Sequence, residues 1–464
     1  MEAMAATAAR TTVRPLVLLE AATLLSGAGN GAALVLLPWI ALEQTGRASA
    51  AGLLAAATAL PLLVSSLLSG TIVDRLGRRR TAIGADVLSA ASLAAIPLLD
   101  RAIGLDLGWL VALAVVGAVF DPAGVTARET MLPAAAGRAG WPLERVNGLH
   151  EAIWGVAFIV GPGVGGVLIA WVGAIDAMWV TTVGFVLSAI FVSLLQVPHA
   201  GAPVVDDDAP VGVWEGTRQG LGFVRRDPLL LGITAISALL VSVYMPIEGV
   251  LLPVHFEALD QPGRLGAIVM AMSVGGIVGA VLYSWRGARR RRSLVFRGAL
   301  LMTATFILVL AVLPPFPVMI VASLLIGLAY GPIGPMVNLA MQARSPEHMR
   351  GRVVGIITST EYAAGPLGYL LVGVAATRFG VQATFIAVAL VIVAIAIGAV
   401  FVRPLNQFDD LALPEHGHQG AAAIIDEATG GALPLIQPPR DPDLAARRVG
   451  GGQAPSVPED PSAW

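Results

Sequence analysis

The chain has 464 residues, of which 56% are hydrophobic and only 13% charged, with a mean hydropathy of +0.78. A soluble domain carries roughly 25% charged residues, so there is too little polar surface for a soluble fold, and length here counts membrane helices rather than domains. The net charge of −2, spread over short arginine-bearing loops, excludes a nucleic-acid partner, and the absence of cysteine excludes disulfides and thiolate metal sites.

Residues 1–14 read as a short cytoplasmic N-tail. The apolar run after them is too long for a signal-peptide core and lacks a cleavage site, so it reads as a retained first span. Runs able to cross a ~30 Å hydrocarbon layer begin near Pro15, Ala51, Thr81, Trp109, Asn147 and Ala177, giving a six-helix half over 15–196. Residues 197–228, with Pro198, Pro203, Asp206, Asp207, Asp208 and Pro210, read as a central cytoplasmic loop. A second six-helix half over 229–402 has runs beginning near Leu229, Leu265, Leu294, Val318, Val353 and Gln382, the first of them broken by Pro246 and Pro253. From 403 to 464 no apolar period is sustained, and a disordered cytoplasmic tail is expected. The expected fold class is an all-α integral membrane protein of twelve helices.

All 29 basic residues are arginine, and basic residues favour cytoplasmic loops. One set of loops holds Arg75, Arg78, Arg79, Arg80, Arg128, Arg138, Arg145, Arg225, Arg226, Arg286, residues 289–292, Arg344, Arg350 and Arg352. The other holds Arg47, Arg101, Arg264 and Arg378. This asymmetry predicts that both termini are cytoplasmic, which an even number of spans also requires.

After the second span, Gly70, Asp74, Arg75, Gly77, Arg78, Arg79 and Arg80 form the pattern G-x-x-x-D-R-x-G-R-R-R. Membrane anchoring by arginine accounts for the basic run but not for Asp74 or Gly77. Gly70 allows close helix approach, and a carboxylate at Asp74 suits the N-terminus of another helix. A degenerate copy follows in the second half, where Gly279 and Gly287 bracket Tyr283 and Arg286. Likewise Arg145, Val146, Asn147 and Gly148 precede Gly161-Pro162, as Arg352, Val353, Val354 and Gly355 precede Gly365-Pro366. Such duplication is common in secondary transporters.

Charge at the bilayer centre costs at least ~2.5 kcal/mol, so Glu20, Asp86, Asp121, Glu151, Glu248 and Glu361 each call for a partner or a task. Glu20, Asp86 and Glu151 lie near helix ends, where interfacial anchoring competes with proton coupling. Asp121, just before Pro122, either caps or pairs with an arginine, or carries a proton. Glu248, beside Pro246, and Glu361 are the hardest to explain by anchoring, although a protonated carboxyl bonded to a neighbouring helix remains open for both. Asn30, between Gly29 and Gly31, and the aromatic residues Trp154, Phe158, Tyr244, Tyr330 and Tyr362 are candidates for a substrate path.

The loop at 70–80 resembles the signature between spans two and three of the major facilitator superfamily. The resemblance implies that Asp74 meets span eleven and that Arg75 and Arg78 pair with Glu129, forming a latch that closes the cytoplasmic side. Gly161, Pro162, Gly165 and Gly166 form G-P-x-x-G-G, which looks like the antiporter motif of the family's exporters, with Ala157 where a glycine is usual; packing and a kink alone are the other reading. Residues 117–133 (GAVFDPAGVTARETMLP), 139–148 (AGWPLERVNG) and 350–368 (RGRVVGIITSTEYAAGPLG) are similar to the actinobacterial drug-exporter branch. That resemblance implies proton-coupled export of varied antibiotics from a bacterial plasma membrane, by a monomer whose partners are lipid, drug substrates and protons. Export of an endogenous metabolite such as a siderophore is the alternative. Asn30 replaces the family's usual aspartate, and Glu361 stands where an uncharged residue is usual. No cofactor or enzymatic activity is expected, since H-E-x-x-H and paired intramembrane aspartates are absent.

Overall fold

A computed structural model of the chain describes residues 12–195, 213–286 and 291–411. Residues 1–11, the acidic linker at 196–212, the basic run at 287–290 and the tail from 412 onward lie outside the described residues.

The first half comprises α1 (Arg14–Thr45), α2 (Ala48–Leu76), α3 (Arg78–Ile103), a fourth span in three pieces, α4 (Leu107–Ala118), α5 (Asp121–Glu129) and α6 (Leu132–Ala139), then α7 (Leu143–Val172) and α8 (Ala174–Ser193). After α9 (Val213–Arg226), the second half runs through α10 (Pro228–Pro246), a π-helical turn (Ile247–Leu251) and α11 (Leu252–Glu257), which together make one span. It continues with α12 (Pro262–Arg286), α13 (Arg292–Ala311), the paired α14 (Phe316–Tyr330) and α15 (Ile333–Arg344), α16 (Glu347–Phe379) and α17 (Val381–Phe401). Eleven stretches qualify as spans by length and hydropathy, and the 33-residue α16, ~50 Å long at ~1.5 Å per residue, is the twelfth. The fold is all-α among the described residues, as hydropathy predicts.

Local chemistry explains where the helices stop. Asp106 accepts the Trp109 N–H and starts α4, and Asp227 accepts the N–H groups of Leu229 and Leu230 to start α10. Gly77, Gly173 and Gly380 are single-residue joints with φ of +85°, +82° and +83°, a region costly for any residue with a Cβ. Gly77 thus has a backbone reason to stand in the loop signature. Gly173 and Gly380 each end a helix with an internal proline, Pro162 or Pro366, so the duplication seen in the sequence recurs in the backbone. The outer surface carries apolar side chains such as Trp171, Phe379 and Phe401, while Trp39, Phe185 and Phe256 are buried, the pattern expected when lipid is the solvent.

Within the first half, α1 packs on α7 and α8, and α3 on α8. Between the halves, α2 packs on α16 and α7 on α12. The α2–α16 seam is tight at the arginine-poor end, where the Ser49 N–H donates to Thr377 Oγ1 at 2.9 Å and a Cβ on Gly52 would meet Gly373 Cα at 3.0 Å.

Two expected boundaries change. Residues 213–226 of the expected central loop form α9, whose Gly220 and Val224 are buried; Gln219 of α9 accepts a hydrogen bond from Arg352 on α16. Residues 403–411 of the expected tail hold a 3-10 turn (Arg403–Phe408), because Leu405 and Phe408 find apolar cover, Phe408 lying 5.1 Å from the Phe296 ring. That turn is clamped: Arg292 donates to the Leu411 carbonyl, and the Ser293 N–H and hydroxyl donate to Asp409 at 2.9 and 2.6 Å. Partial desolvation works against the charged form of Asp409, yet the Ser293 bonds and nearby Arg291 hold its carboxyl below the ordinary range. A depressed folded-state pKa adds stability above the unfolded value, and that contribution is lost as pH falls through the depressed one. Ser293→Ala should therefore lower the unfolding temperature in detergent at neutral pH, with the gap to wild type closing in acid.

A candidate translocation site

A cavity of about 260 Å³ is lined by α1, α2, α3, α4, α5 and, through Phe185, α8 of the first half and by Gly249 and Tyr369 of the second. Its lining is apolar apart from Asn30, Thr58, Ser89, Ser92, Asp121 and the Tyr369 hydroxyl. Asn30 Nδ2 donates to Asp121 Oδ1 at 2.8 Å. That bond explains why a neutral residue works in α1: an aspartate at 30 would set two carboxylates against each other. No basic side chain lines the cavity, and no ion pair is made by Asp121, Glu248 or Glu361 among the described residues.

Glu248 sits in the π-helical turn between Pro246 and Pro253. A proline cannot donate into the helical ladder, and wide turns of this kind concentrate at functional sites. Tyr244 neighbours Glu248, and Ser237 neighbours Glu361. Tyr330 stacks on Tyr244 with centroids 5.2 Å apart and lies within electrostatic range of both glutamates. Tyr369 connects this group to the cavity: it lines the wall, and a Cβ on Gly249 would sit 2.8 Å from its Cε1. Of the residues singled out for a substrate path, Asn30 lines the cavity. Tyr244 and Tyr330 stand behind it with the glutamates, Trp154 and Phe158 lie on α7, and the Tyr362 side chain is outside the described set.

Asp86 has a different setting from the one its position suggests. It is 2% exposed and pairs with Arg128, itself 1% exposed, at 3.1 Å. Ser26 of α1 donates to Asp86 at 3.1 Å and accepts from Arg128 at 3.0 Å, and Ser188 of α8 donates to Asp86 at 2.7 Å. Arg128 is thus no loop residue but the centre of a four-helix network. Glu20 is also buried rather than interfacial: both its oxygens face His150 Nδ1, at 3.2 and 3.1 Å, and Trp154 Nε1 donates to His150 Nε2 at 3.1 Å. Glu151, one residue on, is exposed.

The expected pairing of Arg75 and Arg78 with Glu129 is not formed among the described residues. Glu129 is exposed and lies instead near His150, Glu151 and Arg128. The surroundings of Gly70 and of the Asp74 side chain fall outside the described set, although both residues belong to α2.

The glycines of the second motif do two jobs. A Cβ on Gly161 would lie 2.6 Å from the Ala28 carbonyl, and one on Gly165 3.1 Å from that of Ala32, so both permit α7 to touch the backbone of α1. A Cβ on Gly166 would lie 2.6 Å from the Pro262 carbonyl of α12, across the seam between the halves.

Twelve spans in two related halves, with isolated carboxylates around a cavity at their junction, define a secondary transporter. The Major Facilitator Superfamily model matches residues 19–368 and 249–436, and the chain belongs to that superfamily. It is 43% identical over 401 residues to the multidrug efflux pump Tap of Mycolicibacterium fortuitum, covering 85% of this chain and 97% of that protein. Identity to multidrug efflux pump Tap of Mycobacterium tuberculosis is 44% over 398 residues, covering 85% and 95%. The fold is shared with the crystal structure of the nucleoside transporter NupG at a TM-score of 0.66 and 12% identity, over 84% of this chain and 98% of that one.

Proposed function

We propose that the protein exports apolar, neutral or cationic small molecules, including antibiotics, in exchange for protons, by alternating access. The observation that carries this reading is the junctional cavity: Asp121 lies in its wall, and Tyr369 links that wall to Glu248, with no basic residue in the lining. A carboxyl without a cationic partner in such a place either keeps a proton or attracts a cation, so drug and proton compete for the same charge. That competition is the chemistry of an exchanger. An acidic, largely apolar wall also favours a cationic drug over an anionic metabolite such as a siderophore. The efflux function of the Tap relatives supports the reading.

With the arginine-rich ends taken as cytoplasmic, the seams at Ser49–Thr377 and Gly166–Pro262 lie on the outer side, and the unformed Arg75/Arg78–Glu129 latch lies on the inner side. The conformation is then inward-open, ready to load from the cytoplasm. Ethidium accumulation in cells with and without the protein tests the export reading. Lower accumulation with the protein, abolished by a protonophore, is expected, and equal accumulation would overturn it.

A further inference from the structure

We infer that Glu20, His150 and Trp154 form a proton-operated switch, separate from Glu248 and Glu361, in which one proton on the imidazole releases the Trp154 indole. The inference rests on the proton-coupled reading above. Its starting point is donor arithmetic. An indole N–H only donates, so the His150 nitrogen that receives it, Nε2 at 3.1 Å, must carry a lone pair. The remaining ring proton is therefore on Nδ1 and is donated to the Glu20 carboxylate, both residues being 4% exposed. In this state the imidazole is neutral.

A proton arriving from water adds to the Nε2 lone pair. The imidazolium keeps its Nδ1–H bond to Glu20, while Trp154 keeps its own hydrogen and loses its acceptor. Two donors then face each other where one bond stood. The indole must turn, and its surroundings make the turn consequential. Its ring lies against α1 at Gly27, where a Cβ would approach Cζ3 at 3.1 Å, and it packs on Phe158 with centroids 5.8 Å apart. The Phe158 carbonyl accepts from Ser273 Oγ of α12 at 3.1 Å, across the seam between the halves. Protonation at His150 is thereby tied to the α7–α12 contact.

The charged groups near His150 come from several helices. Glu20 comes from α1, Glu129 and Arg128 from α5, and Arg145 and Glu151 from α7 itself, with Arg128 already held by Asp86 and Arg145 lying over the Trp141 ring. Of the other helices packed on α7, α6 brings Arg138. α8 carries only Asp176, near its first residue, and α12 only Arg264 and the terminal Arg286. Asn147, Gly148, Leu149 and Glu151 beside the imidazole are exposed, which supplies the proton path.

The test is the pH profile of gradient-driven ethidium transport by the full-length protein in proteoliposomes, varying pH at the arginine-rich face. Trp154→Phe keeps a ring but removes the N–H donor, so the neutral imidazole loses a bond that the protonated one does not make. The profile midpoint should move up by roughly half a unit to one unit. Glu20→Gln should move it down, and His150→Gln should delete that limb. A purely structural role would lower the rate at every pH and leave the midpoint in place. An unmoved midpoint in Trp154→Phe, or a limb that survives His150→Gln, overturns the switch while wild-type gradient-driven transport still stands. If the wild type shows no gradient-driven transport, the proton-coupled reading itself fails, and the switch with it.

Discussion

Arg128→Ala is expected to yield a protein that inserts but is strongly destabilised. The substitution would leave Asp86 as a charge 2% exposed among α1, α3 and α8, its remaining partners only the hydroxyls of Ser26 and Ser188. Breaking one side of a buried ion pair costs about 3–5 kcal/mol, because the surviving charge stays desolvated. Thermal unfolding in detergent, followed by size-exclusion chromatography, should show a large drop in midpoint. Removing both charges with Asp86→Leu and Arg128→Met should recover much of the loss, since an apolar pair of similar volume needs no solvation. If the single and double variants were equally unstable, the network would owe its effect to packing rather than charge.

Gly166→Leu is expected to act on conformation rather than on folding. The Cβ alone would sit 2.6 Å from the Pro262 carbonyl and 3.1 Å from Gly266 Cα, both backbone positions that cannot swing aside. The clash falls between the halves, so rocking them apart at the arginine-poor end relieves it without unfolding either. Gly161→Leu meets Ala28 and Gly31 of its own half and should instead lower stability, by overpacking of about 1–3 kcal/mol or more. The chain has no cysteine, so Ser49→Cys provides a clean label site at the seam. Maleimide labelling there should rise several-fold in Gly166→Leu and change little in Gly161→Leu, with efflux impaired in both.

The helices were legible in the sequence because lipid demands long apolar runs, and the duplication because Gly161-Pro162 and Gly365-Pro366 are read directly from the chain. That Asp121, Glu248 and Glu361 are carboxyls set within spans was legible too, since a carboxyl far from any loop stands out in so apolar a chain. Their partners were not, because contacts such as Asn30–Asp121 and Glu20–His150 join residues 91 and 130 positions apart. Arg128 was misplaced for a definite reason: positive-inside counting assigns an arginine near a span's end to a loop, and only folding shows that the broken fourth span carries it inward to Asp86. His150 had one available signal, a histidine four residues before Trp154 on a helical face, which puts ring and indole within reach. Tyr369 offered none, since its role depends on Gly249 leaving room in a π-helical turn that the prolines at 246 and 253 hint at but do not specify.

The central claim is that a proton gradient drives export through carboxyls at the junction of the two halves. Transport of ethidium into proteoliposomes under an imposed pH gradient, comparing wild type with Glu248→Gln and Glu361→Gln, tests it most directly. The account predicts gradient-dependent accumulation by the wild type, and in at least one variant loss of the gradient dependence with ethidium binding retained. Wild-type transport indifferent to the gradient, or full gradient-driven transport in both variants, would contradict it.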